Sequence, residues 1–235
     1  MTNMQTDPVL PSSAQVQMDF DRIAPLAGDG WNHNSHYHTY LLRRLPDRCA
    51  EVLEVGCGTG TFARLLAERT DRVLALDLSP EMVRIAKERS TQHPNIDYQV
   101  ADARLWPFPY ERFDAVTSIA TLHHLPLEPM LARMSGALKP GGTLVVLDLF
   151  ESHGFGDILR SAVALPLSTV WRLYEQGRLR PPKELRDAWD RHCHHDTFLP
   201  FSRIRHVCVE LLPGAVLRKH LLWRYSLVWQ KPLAR

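Results

Sequence analysis

The chain has 235 residues, of which 45% are hydrophobic and 23% charged, and this is the composition of a globular protein with a single large core. Its net charge of +2 is too small to indicate a nucleic-acid partner. It has no uninterrupted apolar run of about eighteen residues, and its polar start lacks the basic-then-apolar order of a secretory signal, so we expect neither export nor a membrane span.

The cysteines indicate a reducing compartment. Cys49, Cys57, Cys193 and Cys208 are scattered along the chain, and no two of them have CxxC spacing. That pattern fits neither a disulfide framework nor a structural zinc site. We therefore expect free thiols and a cytoplasmic protein.

The first 46 residues precede the regular part of the sequence. We expect a flexible tail over residues 1–18 and a helical lid over residues 19–46. Within the lid, "WNHNSHYHTY" (31–40) contains three histidines, two tyrosines and a tryptophan. If this stretch is helical, one face carries the side chains at spacings of three and four, namely His33, His36, Tyr37 and Tyr40.

Residues 47–150 alternate between strand and helix patterns. "EVLEV", "RVLALDLS", "IDYQVAD", "FDAVTSIAT" and "TLVVLDLF" are typical of strands, whereas "ARLLAERT", "PEMVRIAKERS" and "EPMLARMSGAL" have helical spacing. Ser79 is the predicted N-cap of its helix, with Pro80 at the first helical position. Apolar strands that alternate with helices predict an α/β fold with a mostly parallel sheet and helices on both faces.

The alternation stops after Phe150. We expect a helical insertion over 151–200 that covers the sheet, with two helical segments separated by Pro181 and Pro182. Residues 201–235 then predict a last helix and two strands joined around "WR". So short a connection permits only antiparallel pairing, so a C-terminal hairpin completes a seven-stranded sheet.

A glycine-rich turn follows the first strand. "VLEVGCGTG" (52–60) places Gly56, Gly58 and Gly60 after an acidic residue, Glu54. Glycines there let the backbone approach a ligand closely. The order is GxGxG, because residue 61 is Thr, and no Lys-Ser or Lys-Thr follows it. A dinucleotide fingerprint and a phosphate-binding P-loop are therefore both disfavoured.

Acidic residues end the next two strands. Asp77 ends the second strand, where a carboxylate can accept hydrogen bonds from both hydroxyls of a ribose, and Asp102 ends the third, where it can accept from an adenine amine. Either residue alone could equally cap a helix or a turn. Acids at three consecutive strand ends, with Glu54 as the first, favour a nucleoside-binding edge.

These stretches resemble class I S-adenosylmethionine-dependent methyltransferases, in particular the UbiE-like group that acts on small molecules. The matching segments are "VLEVGCGTG", "LALDLSPEMVRIAK", "VADARLWPFPYERFDAVTSIATLHHL" and "LKPGGTLVVLDL". The resemblance implies a Rossmann-like fold and S-adenosylmethionine as cofactor. The "TSIA" after the fourth strand replaces the Asn-Pro-Pro-Tyr type of motif with which base-modifying relatives bind a nucleobase, so a flipped base is not the expected acceptor.

The resemblance also implies a role for individual residues. Glu54 and the loop Gly56, Cys57, Gly58 and Gly60 would face the methionine part of the cofactor. Asp77 would bind the ribose, Leu78 the adenine face, and Asp102 with Ala103 the adenine edge. Ser118 and Ile119 would lie near the sulfonium. From the lid, Tyr37 would reach the cofactor carboxylate.

The histidines allow three interpretations. Most of them are structural, or one is a general base that takes a proton from the acceptor, or they hold a divalent metal. For the base we favour His123, then His195 and His36, with Asp196 as a candidate partner. "HCHHD" (192–196) lacks the spacing of a transition-metal site, so no metal is expected.

Together these observations predict methyl transfer to oxygen, nitrogen or carbon of a small organic molecule, by in-line displacement. The expected protein is a monomer or homodimer without a nucleic-acid or membrane partner. Two alternatives remain open. One is a non-methylating cyclase that uses only the positive charge of the cofactor, and the other is a catalytically silent partner subunit.

Overall fold

The computed structural model describes residues 9–151, 166, 169–171, 173–174, 177, 180, 182–194 and 196–233. The candidate base His195 and most of the first helical segment of the insertion lie outside the described residues. The expectations for them stay predictions.

The described chain forms one seven-stranded sheet, as the sequence predicts. The strands are β1 (Cys49–Val55), β2 (Thr70–Asp77), β3 (Ile96–Val100), β4 (Phe113–Ile119), β5 (Leu138–Leu149), β6 (Val216–Lys219) and β7 (Arg224–Gln230). Their order is β3-β2-β1-β4-β5-β7-β6. The first five are parallel, and β7 pairs antiparallel with both β5 and β6. From β1 the strand order runs outward to β3 in one direction, and from β4 it runs outward in the other. In open sheets of this kind, ligands bind outside the carboxyl ends of the strands at that point.

Helices cover both faces of this sheet. The α-helices of the described ranges are α1 (Ser13–Ile23), α2 (His38–Leu42), α3 (Thr61–Ala67), α4 (Pro80–Arg89), α5 (Leu127–Ala137), α6 (Lys183–Cys193) and α7 (Phe201–Leu211). Leu53 and Val55 of β1 pack into one buried cluster with α5 and α7, whereas Val52 packs into a second cluster with α2 and α3. This alternation is the period of two that a strand requires when both of its faces are buried. In the part of the chain described, no helix has the length and apolar character needed to cross a bilayer.

The start of the chain differs from the expected flexible tail over residues 1–18. Helix α1 begins at Ser13, and the Ser12 side chain accepts a hydrogen bond from the Gln15 N–H at 3.2 Å as its N-cap. Val16 and Ile23 are buried. The prediction is therefore wrong for residues 13–18, because packing of these two apolar residues on the core stabilises a helix whose local sequence signal is weak.

The lid stretch 31–42 is not one continuous helix. A single 3₁₀ turn (Ser35–Tyr37) leads into α2. Before it, the Asn32 side chain accepts from the N–H groups of Asn34 and Ser35. Such side-chain turns compete with helix formation, which explains the late start of α2.

The connection between β6 and β7 is longer than the two residues around "WR" that the sequence suggested. Residues 220–223 separate the strands, and Leu222 and Trp223 have φ of 59° and 58°. Type I′ hairpin turns have positive φ at two successive residues, and non-glycine residues adopt such values only where packing holds them. Leu222 is buried at 2% exposure, which provides that packing.

Candidate functional site

The glycine loop after β1 has the conformation that its sequence predicts. Gly56, Gly58 and Gly60 all have positive φ. A Cβ on Gly56 would lie 1.9 Å from Oγ1 of Thr121, and one on Gly60 would lie 2.3 Å from the Tyr98 hydroxyl. At Gly58 a Cβ would meet nothing within 4 Å. Gly56 and Gly60 therefore allow close packing, whereas Gly58 presents bare backbone to open space.

The Asp77 carboxylate lies directly beside this loop. Its Oδ2 accepts from the Gly58 N–H at 2.7 Å, and its Oδ1 accepts from the Ser79 N–H at 2.9 Å. Burial raises the pKa of Asp77 to about 6, although these two N–H groups act in the opposite direction. The end of β2 thus holds a carboxylate whose charge state changes just below neutral pH.

Glu54 is a buried acid with one unpaired carboxyl oxygen. It is 2% exposed, and its Oε2 makes no hydrogen bond to any described residue. Burial raises the pKa of Glu54 well above its ordinary value, and the charge of Asp77 adds to this shift. A buried, unpaired carboxyl oxygen costs free energy, which a donor or cation on a bound ligand would offset.

The Asp102 carboxylate connects β3 to the N-terminal helix. Its Oδ1 accepts from the Arg104 N–H at 2.8 Å, and its Oδ2 accepts from the Ser13 hydroxyl at 2.6 Å. Ala103 beside it is 8% exposed. No feature of the sequence indicated that Ser13 reaches this carboxylate.

More contacts join the N-terminal segment to the same edge. The Ser79 hydroxyl donates to Asp21 of α1 at 2.5 Å, and Asp29 forms ion pairs with Arg64 at 2.8 Å and Arg89 at 3.2 Å. Acids spaced along residues 19–29 were the signal in the sequence.

The end of β4 is tightly fixed. The Ser118 hydroxyl is fully buried and donates to the Val55 carbonyl at 2.9 Å, and the half-buried Ile119 accepts at its carbonyl from the Thr121 hydroxyl. Ala120 follows with φ of 50°. Such strain is typical of segments that position functional groups.

His123 forms a buried pair with Asp148. Nδ1 of the imidazole lies 2.6 Å from Oδ1 of Asp148, while Oδ2 accepts from the His123 backbone N–H at 2.9 Å. Because a carboxylate can only accept, we assign the ring proton to Nδ1, which donates it to Asp148. Nε2 is then the acceptor nitrogen of the ring. Asp148, at the end of β5 and 1% exposed, is the partner of His123. The sequence had suggested Asp196 as the candidate partner of the general base.

Asp196 lies among other histidines. Its two oxygens lie 3.5 Å from Nδ1 of His124 and 3.5 Å from Nε2 of His192, and Nδ1 of His192 lies 3.4 Å from Asp19 of α1. Burial lowers the pKa of His124 to about 2, so this ring is neutral, and burial raises the pKa of Asp196. Among the described residues, His123, His124 and Asp196 also place one ligand-type atom each within 4.8 Å of one another.

An apolar cavity of about 130 Å³ lies beside His123, at the ends of β4 and β5. This is roughly the size of a cavity that holds a benzene ring. Its lining is formed by Leu10, Leu122, His123, Leu125, Pro126, Leu127, Glu128, Leu149, Thr197, Leu199, Ile204 and Tyr225. The glycine loop is linked to this cavity by Thr121, which packs against Gly56 and precedes His123 by two residues.

The lid stretch packs against the β6–β7 turn. The buried Tyr37 donates its hydroxyl to the Leu221 carbonyl at 2.8 Å, and burial raises its pKa to about 12. The His36 ring lies edge-on to Tyr37 and to Trp171 of the insertion, with centroids 4.8 and 5.4 Å apart. Tyr37 shares a buried cluster with Cys57 of the glycine loop. Neither Tyr37 nor His36 lines the cavity.

Residues 52–142 match the family described as "Methyltransferase domain". An uncharacterised methyltransferase of Mycobacterium tuberculosis is 31% identical over 206 residues, which cover 86% of this chain and 98% of that protein. A demethylmenaquinone methyltransferase of Tropheryma whipplei is 31% identical over 164 residues, which cover 66% and 68%.

Two solved structures share the fold. One is the N-methyltransferase NodS of Bradyrhizobium japonicum with S-adenosyl-L-homocysteine, with a TM-score of 0.62 and 20% identity over 92% of this chain and 98% of that one. The other is the [4+2]-cyclase SpnF, with a TM-score of 0.63 and 19% identity over 97% and 99%. At such identities the likeness concerns the fold alone.

Proposed function

Because the chain belongs to the class I S-adenosylmethionine-dependent methyltransferases, we propose that it methylates a small organic molecule bound in the apolar cavity beside His123. The observation that carries the proposal is the position of the His123 imidazole, which lies in the wall of that cavity and is held by Asp148. His123 also follows Thr121, the residue that packs on the glycine loop, by only two positions in the sequence. In open α/β sheets, ligands bind outside the carboxyl ends of the strands.

The residues present fit S-adenosylmethionine. The open backbone at Gly58, the enclosed Asp77 carboxylate and the unpaired oxygen of Glu54 form a cradle for a polar, positively charged ligand. When bound, this cofactor supplies a methyl group already activated by a sulfonium. The residues that would hold it are Tyr37, Glu54, Gly56, Cys57, Gly58, Gly60, Asp77, Leu78, Asp102, Ala103, Ser118 and Ile119. Since Asp102 accepts from Ser13 here, the adenine amine would share that carboxylate with Ser13.

His123 is the proposed general base. Nε2 would take the proton from an acceptor O–H or N–H, and the electron pair of that bond would attack the methyl carbon while the methyl–sulfur bond breaks with its electron pair left on sulfur. Asp148 would keep the ring in the required tautomer and stabilise the imidazolium that forms. The apolar lining would exclude water and hold the acceptor in line. His36, in the lid stretch 31–42, and His195 are the weaker candidates for this role.

The test is to incubate the purified protein with S-adenosylmethionine and a panel of ring-sized phenols, amines and enols, and to follow both products by mass spectrometry. Methyl transfer predicts S-adenosylhomocysteine and methylated product in equal amounts. An isomerised product without S-adenosylhomocysteine would identify a cyclase instead. Failure of the protein to bind S-adenosylmethionine would identify a silent subunit and reject the proposal.

We expect cofactor affinity to fall below pH 6. The ordinary pKa of an aspartate is 3.8 and that of Asp77 is about 6, so Asp77 becomes protonated as the pH falls through 6. Ribose hydroxyls donate to the ionised form, and the affinity for S-adenosylhomocysteine should therefore drop up to about tenfold per pH unit below that point. Calorimetric titration between pH 5 and pH 8 measures this.

Asp77→Asn provides the comparison for this pH series. It should bind about tenfold more weakly at pH 8, the effect of one lost hydrogen bond to a charged group, and should lose the dependence near pH 6. Asp71→Asn, at an exposed position on the same strand, should behave as wild type. An unchanged pH profile in Asp77→Asn would contradict the assignment.

The proposal includes the setting in which the enzyme works. All four cysteines are free, which fits the cytoplasm. We propose a monomer or homodimer whose only partners are the cofactor and a small acceptor. Light scattering at several protein concentrations measures the oligomeric state.

A further inference from the structure

A chain of buried acids and imidazoles lies behind the acceptor cavity. It runs from Asp19 of α1 to His192 of α6, then to Asp196, and then to His124 in the loop after β4, with separations of 3.4, 3.5 and 3.5 Å. All four side chains are at most 6% exposed. The chain joins the N-terminal helix and the insertion to the loop that carries His123.

None of these four side chains lines the cavity, so they do not contact the acceptor in its proposed position. They do contact the residues that support His123. The His123 ring packs on the His124 ring, with centroids 3.9 Å apart, and on the Phe198 ring, with centroids 5.3 Å apart. Asp196 contacts the His124 ring directly, and in the sequence it precedes Phe198 by two residues.

Burying two carboxylates is unfavourable unless donors face them. His192 lies between both acids and can donate to each only when both of its nitrogens carry protons. Asp19 also accepts from Gln15 at 3.1 Å. His124, which burial keeps neutral, has one N–H to offer Asp196, and the 3.5 Å contact is longer than an ordinary hydrogen bond. Such an arrangement is sensitive to small displacements of any of its four segments.

We propose that Asp196 is a positioning residue for His123. Through His124 and Phe198 it holds the faces of the imidazole, while Asp148 holds its edge, so that Nε2 keeps one direction toward the cavity. Through His192 and Asp19 it links that direction to the placement of α6 and α1. The inference rests on the proposed function of His123, but its test measures the tautomer and proton exchange of the imidazole, without any measurement of activity.

The experiment uses full-length protein labelled with ¹⁵N at histidine, and NMR of the ring nitrogens, with His123 assigned by the loss of its signals in His123→Asn. Wild type should show a single His123 tautomer, protonated at Nδ1. In Asp196→Asn we expect the His123 signals to shift or broaden, and its Nδ1 proton to exchange with water about tenfold faster, because one contact to a charged group is lost. Binding of S-adenosylhomocysteine should stay within about twofold.

His206→Asn is the matched control, because His206 forms an imidazole–carboxylate pair with Glu210 on the exposed surface of α7, at 3.3 Å. It should leave the His123 signals unchanged. If Asp196→Asn does not fold, His192→Gln breaks the same series of buried side chains one contact farther from His123. It should change the His123 ring signals in the same manner.

His123 signals that coincide with those of wild type in these variants would overturn the proposal. So would one-to-one binding of Co²⁺ that Asp196→Asn abolishes, because Asp196 would then be a metal ligand. A third outcome separates the two proposals. If wild type shows the single His123 tautomer and the variants alter it, but no methyl transfer is found, the proposed function is rejected and the positioning role stands.

Discussion

Replacing His123 by Asn lowers the rate of methyl transfer by about 10²- to 10⁴-fold, which is the usual contribution of a general base. The amide fills similar space in the cavity wall but cannot take a proton. Since His123 lies outside the cofactor cradle, affinity for S-adenosylhomocysteine should stay within about twofold of wild type. Single-turnover rates with saturating acceptor, together with calorimetric titration of the cofactor product, measure both effects.

Asp148→Asn is the companion to this variant. An amide beside Nδ1 no longer favours protonation at that nitrogen, so Nε2 would carry the proton in part of the molecules and the rate should also fall. A rate in His123→Asn within about threefold of wild type would mean that the acceptor needs no base, and the role of His123 would be limited to shaping the cavity.

Gly56→Ala destabilises the fold by about 2–5 kcal/mol and removes cofactor binding. The left-handed backbone at Gly56 costs a residue with a side chain about 1–2 kcal/mol, and the clash of the added Cβ with Thr121 costs about 1–3 kcal/mol more. Relief of that clash requires Thr121 to move, and with it the segment leading to His123. Denaturant unfolding and titration with S-adenosylmethionine measure the two losses.

Gly58→Ala separates backbone strain from the clash. Gly58 also has positive φ, at 52°, but its added Cβ meets no atom within 4 Å, so only the strain of about 1–2 kcal/mol should appear. Gly136→Ala, in α5 and likewise free of contacts, should instead gain about 0.5–1 kcal/mol in helix stability. Equal destabilisation by the Gly56 and Gly58 variants would show that the Thr121 contact is unimportant.

The residues at the carboxyl ends of β1 and β2, where the cofactor is expected, could be predicted from the sequence because local interactions determine their structure. The GxGxG turn needs positive φ at each glycine, and Ser79 caps α4 as its sequence context indicates. Asp77 ends an apolar strand and meets the loop that follows the neighbouring strand. In each case the residues that decide the structure are adjacent in the chain or in adjacent parallel strands.

The partner of His123 could not be predicted in the same way. Asp148 is an acid inside an apolar strand, and its position beside His123 depends on the β4–β5 register, which pairs Ile119 with Leu147. Sequence proximity of Asp196 to the histidine-rich stretch suggested a different partner. Helix α1 was missed because its short apolar face gives a weak local signal, while contacts such as Ser13 with Asp102 stabilise it from a distance.

The position of β7 inside the sheet, between β5 and β6, has a consequence for how the protein is made. Until residues 224–230 emerge from the ribosome, the apolar edge of β5 has no neighbour on that side. An open edge of this kind invites pairing with another nascent chain. Tyr225 and Leu149 line the acceptor cavity from these two strands, so the pocket is completed at the same late step that removes the exposed edge. Newly synthesised chains therefore acquire their acceptor site and their protection from aggregation together.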